Sequence, residues 1–223
     1  MQDPNTLGTR TQIFAWGIFR DSSGCFGFSP GVKVQNTPAE VTIPEKVSQI
    51  ASGSDHILAL ASSGCVYSWG CAEFGRLGRL NADECDPKFK RDESAVAPWK
   101  ARLLTPAKMS GISGATYVAA GLYCSFAVCG REVMSCGVNN YGQMAIEEAG
   151  PFYEMTKVPL LSGKGVCGIG GGEHHTIFLT SAGQVLSCGR ATYGRLGRSG
   201  VDCDADEKNP KPMPVMGFSS KGW

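Results

Sequence analysis

The amino-acid sequence predicts an all-β protein, a β-propeller of four-stranded blades present as an incomplete arc of about four blades, on three observations. The first is an internal repeat, the signal to be read before any other. Gly53 recurs as Gly121 and Gly172, and each is followed 16 or 17 residues on by a second glycine, Gly70, Gly137 and Gly189. A third landmark falls eight residues later, at Gly78, at Ala145 in a glycine's place, and at Gly197. The second observation is what lies between the landmarks: short apolar runs rich in β-formers and joined by turn residues. The third is that no stretch of comparable regularity shows helical period, which, with successive periods of 68 and 51 residues, favours a propeller among the repeat architectures.

Residues 1–12 are polar and read as a leader or tag remnant, and the propeller repeats occupy 13–223. Ile13 to Gly17, IFAWG, matches the second strand of a repeat hairpin whose first half would precede the chain, so residues 13–46 form a partial repeat. From Gly17 to Gly24 the spacing is seven, whereas from Gly70 to Gly75 and from Gly189 to Gly194 it is five. The segment FRDSSG therefore carries two extra residues and makes a longer, projecting hairpin. Arg20, Asp21, Ser22, Ser23 and Gly24 supply its turn chemistry and Cys25-Phe26 its apolar return. A neutral variation in loop length is the plain alternative.

Val47 to Gly78 is the clearest unit. Ile57 to Ala61 and Cys65 to Trp69 are apolar runs flanking the turn Ser62-Ser63-Gly64, a hairpin with both strands largely buried. The repeats fall at about 47–114, 115–165 and 166–214. The first is lengthened by an insertion of roughly 16 residues within 80–109, whose acidic and basic side chains nearly cancel. It reads either as a solvated surface loop or as a partner-reaching loop with Lys88, Lys90 and Arg91 as cationic anchors. Small residues at IASGS, VAAGL and GIGGG suit strands whose backbones approach closely at a propeller axis. Asp202 to Pro214, rich in charge and proline, suits a connection over the surface. The chain stops just before its next glycine landmark, so three complete repeats with partial ones at both ends are expected, cut from a larger propeller.

Composition adds bounds. With 223 residues and a formal net charge of +1, the chain has no global pull toward nucleic acid or membrane, and its thirty glycines fit a turn-dense β protein. It has no apolar run of about 18 residues and no signal peptide, which reads as soluble and not secreted. The ten cysteines include no C-x-x-C pair, and Cys65, Cys129, Cys136 and Cys188 sit in apolar strand patterns, as reduced core residues of an intracellular protein do.

Repetition also places candidate functional residues. Asp55, Tyr123 and His174 occupy equivalent positions, so a propeller sets them on one rim, a blade apart, as a binding surface. His56 and His175, one residue on, read as ties to strand backbone. No P-loop, HExxH or G-x-S-x-G occurs, and no nucleophile has an evident base. His174 and His175 would point to opposite faces of a strand, poor geometry for one metal. Neither a metal nor a cofactor is expected, nor a small-molecule substrate.

The motifs GSDHILAL, VYSWGCAEFGRLG, GGEHHTIFLTSAGQVLSCGRATYGRLG and WGIFRDSSGCFG together resemble the regulator of chromosome condensation family, over about Ile13 to Gly197. The long FRDSSG hairpin, the doubled His in GGEHHT, the RATYGRLG ending and the insertion before the third repeat resemble the family's nuclear exchange factors in particular. That resemblance implies a seven-bladed propeller acting as guanine-nucleotide exchange factor for the small GTPase Ran, in the nucleus and bound to chromatin through the histone acidic patch and DNA of nucleosomes. It implies that Phe19 to Phe26 form a wedge pressed near the GTPase's phosphate-binding loop. The family's functional acidic residue falls on Asp55 and its functional histidine on His174, and a second family acidic residue would lie in the blade before Ile13. Lys88, Lys90 and Arg91 become the nearest candidates for nucleosome contact, although the loop departs from the family pattern and carries more acid. Such exchange is not covalent catalysis: the factor binds the nucleotide-free GTPase better than the loaded one, and the coupling is reciprocal. Two rival classes are a propeller serving only as a protein or chromatin platform, in which the wedge and rim residues would be dispensable, and a hydrolase on a propeller, for which the nucleophile is missing.

Overall fold

The computed structural model of the chain describes residues 11–22, 24–28, 31–86, 93–201, 204 and 206–218. Strands dominate, as the repeat predicts. Three four-stranded antiparallel sheets follow one another, and each strand pairs with its neighbour in sequence. The first is built from β5 (Val47–Ser52), β6 (His56–Ala61), β7 (Val66–Gly70) and β8 (Ala107–Lys108). The second comprises β9 (Ala115–Ala120), β10 (Cys124–Cys129), β11 (Glu132–Val138) and β12 (Pro151–Lys157). The third comprises β13 (Val166–Gly171), β14 (His175–Thr180), β15 (Val185–Arg190) and β16 (Lys208–Pro214). Ahead of them, β1 (Ile13–Gly17) pairs with β4 (Gln35–Val41) in a two-stranded half-blade. Between these two strands the short hairpin of β2 (Phe19–Asp21) and β3 (Gly24–Phe26) forms its own two-stranded sheet.

The glycine landmarks have steric causes that recur with the repeat. His56 pairs with Gly70, Cys124 with Gly137 and His175 with Gly189. Each of these glycines has φ near +110°, a conformation that side chains avoid. At Gly53, an added methyl group would overlap the His56 ring and lie 2.7 Å from the Gly121 carbonyl oxygen. There the backbones of successive blades meet: the Ser54 amide donates to Leu122 O at 3.2 Å and the Leu122 amide to Gly172 O at 3.1 Å. The expected crowding at the axis is thus a set of hydrogen bonds between blades. Ala145 keeps the left-handed φ of +59° shared by Gly78 and Gly197, so the turn is imposed by its surroundings even where glycine is missing.

The core lies between blades. Phe126 and Phe178, from the second and third sheets, meet edge to face with ring centroids 5.9 Å apart, and Trp69 is buried with Tyr67, Phe19 and Ile13 where the first sheet meets the half-blade. The strand serines are structural. Ser68 and Ser187 donate to the carbonyls of Leu77 and Leu196 at 2.7 and 2.6 Å, fastening each R-L-G turn under its own sheet. His56 also ties strands, but across blades and to a side chain rather than to backbone. Its Nε2 lies 2.9 Å from Ser125 Oγ, and that hydroxyl donates to Arg76 O at 2.7 Å. With the hydroxyl proton so used, Nε2 must be the donor, and burial, with Arg76 nearby, keeps the ring neutral.

The insertion departs from the surface loop that its composition suggests. It holds two helices, α1 (Ala82–Cys85) and α2 (Glu93–Leu104), in a chain whose sequence shows no helical period. Asn81 and Glu84 form a reciprocal capping box at the start of α1. Trp99, 6% exposed, and Leu103 pack on Leu77, Leu80 and Cys85 as a satellite core. Glu84 joins the two helices, its carbonyl accepting from Trp99 Nε1 at 2.7 Å and its carboxylate pairing with Arg102 at 2.8 Å. Lys88, Lys90 and Arg91 lie outside the described residues.

Candidate functional site

The long hairpin is rooted by its first residue. Phe19 is 3% exposed and packs edge to face on Phe28 with ring centroids 4.9 Å apart, a buried root for the segment Phe19–Phe26. Beyond it the chain turns outward: Arg20, Ser22, Gly24 and Cys25 are exposed and Asp21 half-buried. Ser23 and the side chain of Phe26 lie outside what the structure describes.

Asp55 meets this hairpin directly. Its Oδ1 accepts the backbone N–H of Arg20 at 2.7 Å, and Glu73 Oε1 accepts the backbone N–H of Ser22 at 2.8 Å. Sequence reasoning singled out Asp55 as a rim residue but missed Glu73. The signal that finds it is alignment of the repeats, which sets Glu73 against Asn140 and Thr192. A cleft of about 300 Å3 opens beside this junction between the hairpin and the insertion, lined by Ser22, Glu73, Phe74, Cys85, Asp86 and Tyr153.

Arg76, also missed, underlies this part of the rim. It is 2% exposed, and its guanidinium lies 4.9 Å from the Tyr123 ring centroid and 5.8 Å from that of Phe74. Its Nε donates to Glu73 O at 2.9 Å and a terminal nitrogen to Ser54 Oγ at 3.5 Å, so one cation links the two turns that carry Asp55 and Glu73. The first of these bonds returns in the last repeat, where Arg195 Nε donates to Thr192 O at 2.8 Å.

His174 sits in a second polar cluster. Its side chain is 22% exposed, Nε2 lies 3.5 Å from Glu173 Oε1, and its ring centroid is 4.9 Å from that of Tyr141. Arg190 lies over the same tyrosine at 5.0 Å and pairs with Asp206 at 2.5 Å. Tyr193 stands nearby in sequence, 90% exposed at a φ of +63°. Asp55, Tyr123 and His174 thus carry different chemistry at equivalent places: a backbone acceptor, a lid on a buried arginine, and an imidazole stacked at the edge of an ionic cluster.

The nine described cysteines are free thiols, and burial pushes Cys71, Cys85 and Cys124 up to about 12 and Cys136 and Cys188 higher still, so these five stay protonated. Among the described residues no group of three or more His, Cys, Asp or Glu is placed to hold a metal ion, and no helix is long and apolar enough to cross a membrane.

Comparison with known proteins agrees with this architecture. The family model described as "RCC1-like domain" matches residues 6–222. The regulator of chromosome condensation of Xenopus laevis is 34% identical over 210 residues, covering 92% of this chain and 48% of the relative. The guanine nucleotide exchange factor SRM1 of Saccharomyces cerevisiae is 29% identical over 199 residues, covering 86% of this chain and 38% of that protein. Among solved structures, Prp20p of Saccharomyces cerevisiae, studied for its binding to Gsp1p and histones, superposes with a TM-score of 0.75 at 26% identity, over 92% of this chain and 48% of its own. The chain therefore spans about half the length, or less, of the relatives it matches. By the extent of the family match and the blade architecture alike, the chain belongs to the RCC1-like domain family.

Proposed function

We propose that this chain is the GTPase-facing part of a guanine-nucleotide exchange factor for a small GTPase of the Ran class, acting on chromatin in the nucleus. The observation that carries the reading is the projecting hairpin Phe19–Phe26, held at its base by the contact of Asp55 with the Arg20 amide at 2.7 Å. A factor that expels nucleotide must present a rigid element to the phosphate site and bind the emptied GTPase better than the loaded one. A short hairpin with a buried Phe19 root and a capped edge is suited to that, and needs no covalent step. In this reading Asp55 sets the wedge, and His174, on the same rim, contributes to docking. Similarity to an exchange factor and to a protein studied for binding Gsp1p and histones supports both the GTPase and the chromatin partner. Lys88, Lys90 and Arg91 are the candidate contacts to the nucleosome's acidic patch.

The test is release of labelled GDP from the GTPase, catalysed by the full-length protein that contains this chain. Asp55→Ala should lower the maximal rate about tenfold, the equivalent of ~1.4 kcal/mol in the barrier. Deleting Ser22 and Ser23, which restores the five-residue spacing of the other repeats, should lower it further. His174→Ala should raise the GTPase concentration needed and leave the maximal rate closer to normal. Full activity in all three variants would leave a propeller that serves only as a platform.

A further inference from the structure

The wedge is held at two points, not one. Arg20 is the middle residue of β2 and Ser22 opens the turn that follows it, and the amides of both are directed away from β3, onto side chains of the first blade. The register agrees, since Arg20 faces Cys25 between the pairs Phe19–Phe26 and Asp21–Gly24. A free strand edge of this kind ordinarily seeks another strand. Here each amide on it meets a carboxylate, Asp55 at 2.7 Å and Glu73 at 2.8 Å. Charge-assisted bonds of this length are roughly twice as strong as neutral ones.

The two jaws are themselves braced. Arg76 donates to the Glu73 carbonyl and to Ser54 Oγ beside Asp55, fixing the distance between the turns that carry the acids. Cys71, whose thiol stays protonated, donates to the second oxygen of Glu73 at 3.9 Å. Among the three complete repeats, acids at both positions coincide only in the blade beside the hairpin: the others carry Tyr123 with Asn140, and His174 with Thr192. A solvated surface glutamate would show no such correlation with a hairpin about 50 residues earlier in the chain.

We infer that Glu73 is a positioning residue of the wedge, forming with Asp55 a carboxylate clamp that fixes the hairpin's angle of projection before a partner arrives. This rests on the exchange-factor reading for its purpose, but not for its existence. Preorganisation matters because a loose hairpin would have to be ordered at the moment of binding, at the expense of the nucleotide-free complex.

Hydrogen exchange of the Arg20 and Ser22 amides, followed beside those of β6, tests the clamp. In Glu73→Ala, Ser22 should exchange about tenfold faster, with β6 amides and the melting temperature unchanged. Glu73→Gln keeps a neutral acceptor and should restore much of the protection, a rescue that a general packing role would not produce. In the full-length protein Glu73→Ala should slow maximal GDP release severalfold, with partial recovery in Glu73→Gln. Unchanged exchange at Ser22 in Glu73→Ala would overturn the clamp whatever the activity does. A loosened hairpin with GDP release as fast as the parent's would confirm the clamp and overturn the wedge's part in exchange.

Discussion

Mild acid should lower the stability of the fold above the range in which carboxylates ordinarily titrate, because His56 is buried and neutral at the seam between blades. Burial, with the Arg76 guanidinium adding to it, holds its imidazole down to about 3, against an ordinary value of 6.5. The sign follows from linkage. As pH falls below 6.5 the unfolded chain takes up a proton that folded His56 refuses until about pH 3, so stability declines across that window and is fully present above it. At one proton the slope is about 1.4 kcal/mol per pH unit, which comes to ~2 kcal/mol lost at pH 5. That is a large fraction of a typical net stability of roughly 5–15 kcal/mol. Glu45, held down to about 2 by Lys108, Ser63 and Tyr67, loses its contribution only below its ordinary 4.5 and so leaves pH 5 to 7 clear. His175 also titrates low, so the informative quantity is a difference. Urea unfolding of the parent and of His56→Gln, whose amide can still donate to Ser125 Oγ, should give curves whose separation shrinks by ~2 kcal/mol between pH 7 and pH 5. Parallel pH dependences would refute a His56 held neutral by burial.

Two shorter expectations concern the landmarks and the insertion. Gly53→Ala should destabilise by about 1–3 kcal/mol, because the new methyl group meets the His56 ring and the Gly121 carbonyl, whereas Gly170→Ala, with nothing within 4 Å, should cost far less; thermal melts of the pair decide it. Trp99→Ala should raise hydrogen exchange across residues 80–104 while the amides of β6 and β10 keep their protection, since Trp99 anchors a satellite core rather than a blade.

The repeat was legible because each landmark answers a steric demand that returns with every blade: room for the ring at His56 or His175, or for the thiol of Cys124, and a positive φ opposite it. The insertion was not. Its apolar residues Trp99 and Leu103 stand four apart, the spacing of one helix face, but Pro98 lies inside the helix and the surface they cover belongs to Leu77 and Leu80 from the preceding turn. Nothing in 80–109 taken alone announces that surface.

The site was half legible for a related reason. Asp55 stands out as a polar residue at a repeated rim position, but its side chain caps an amide 35 residues earlier, on the hairpin that is two residues longer than its counterparts. Glu73 looks like any acid in a turn until it is set against Asn140 and Thr192. Three departures from the repeat, none telling alone, converge on one strand edge: a lengthened hairpin, an aspartate where other blades carry tyrosine or histidine, and a glutamate where they carry asparagine or threonine. A repeat buries the same surface in every blade, so conformity to it marks what the fold requires. Coordinated departure marks what the fold does not require, and in this chain it gathers around the hairpin of β2 and β3.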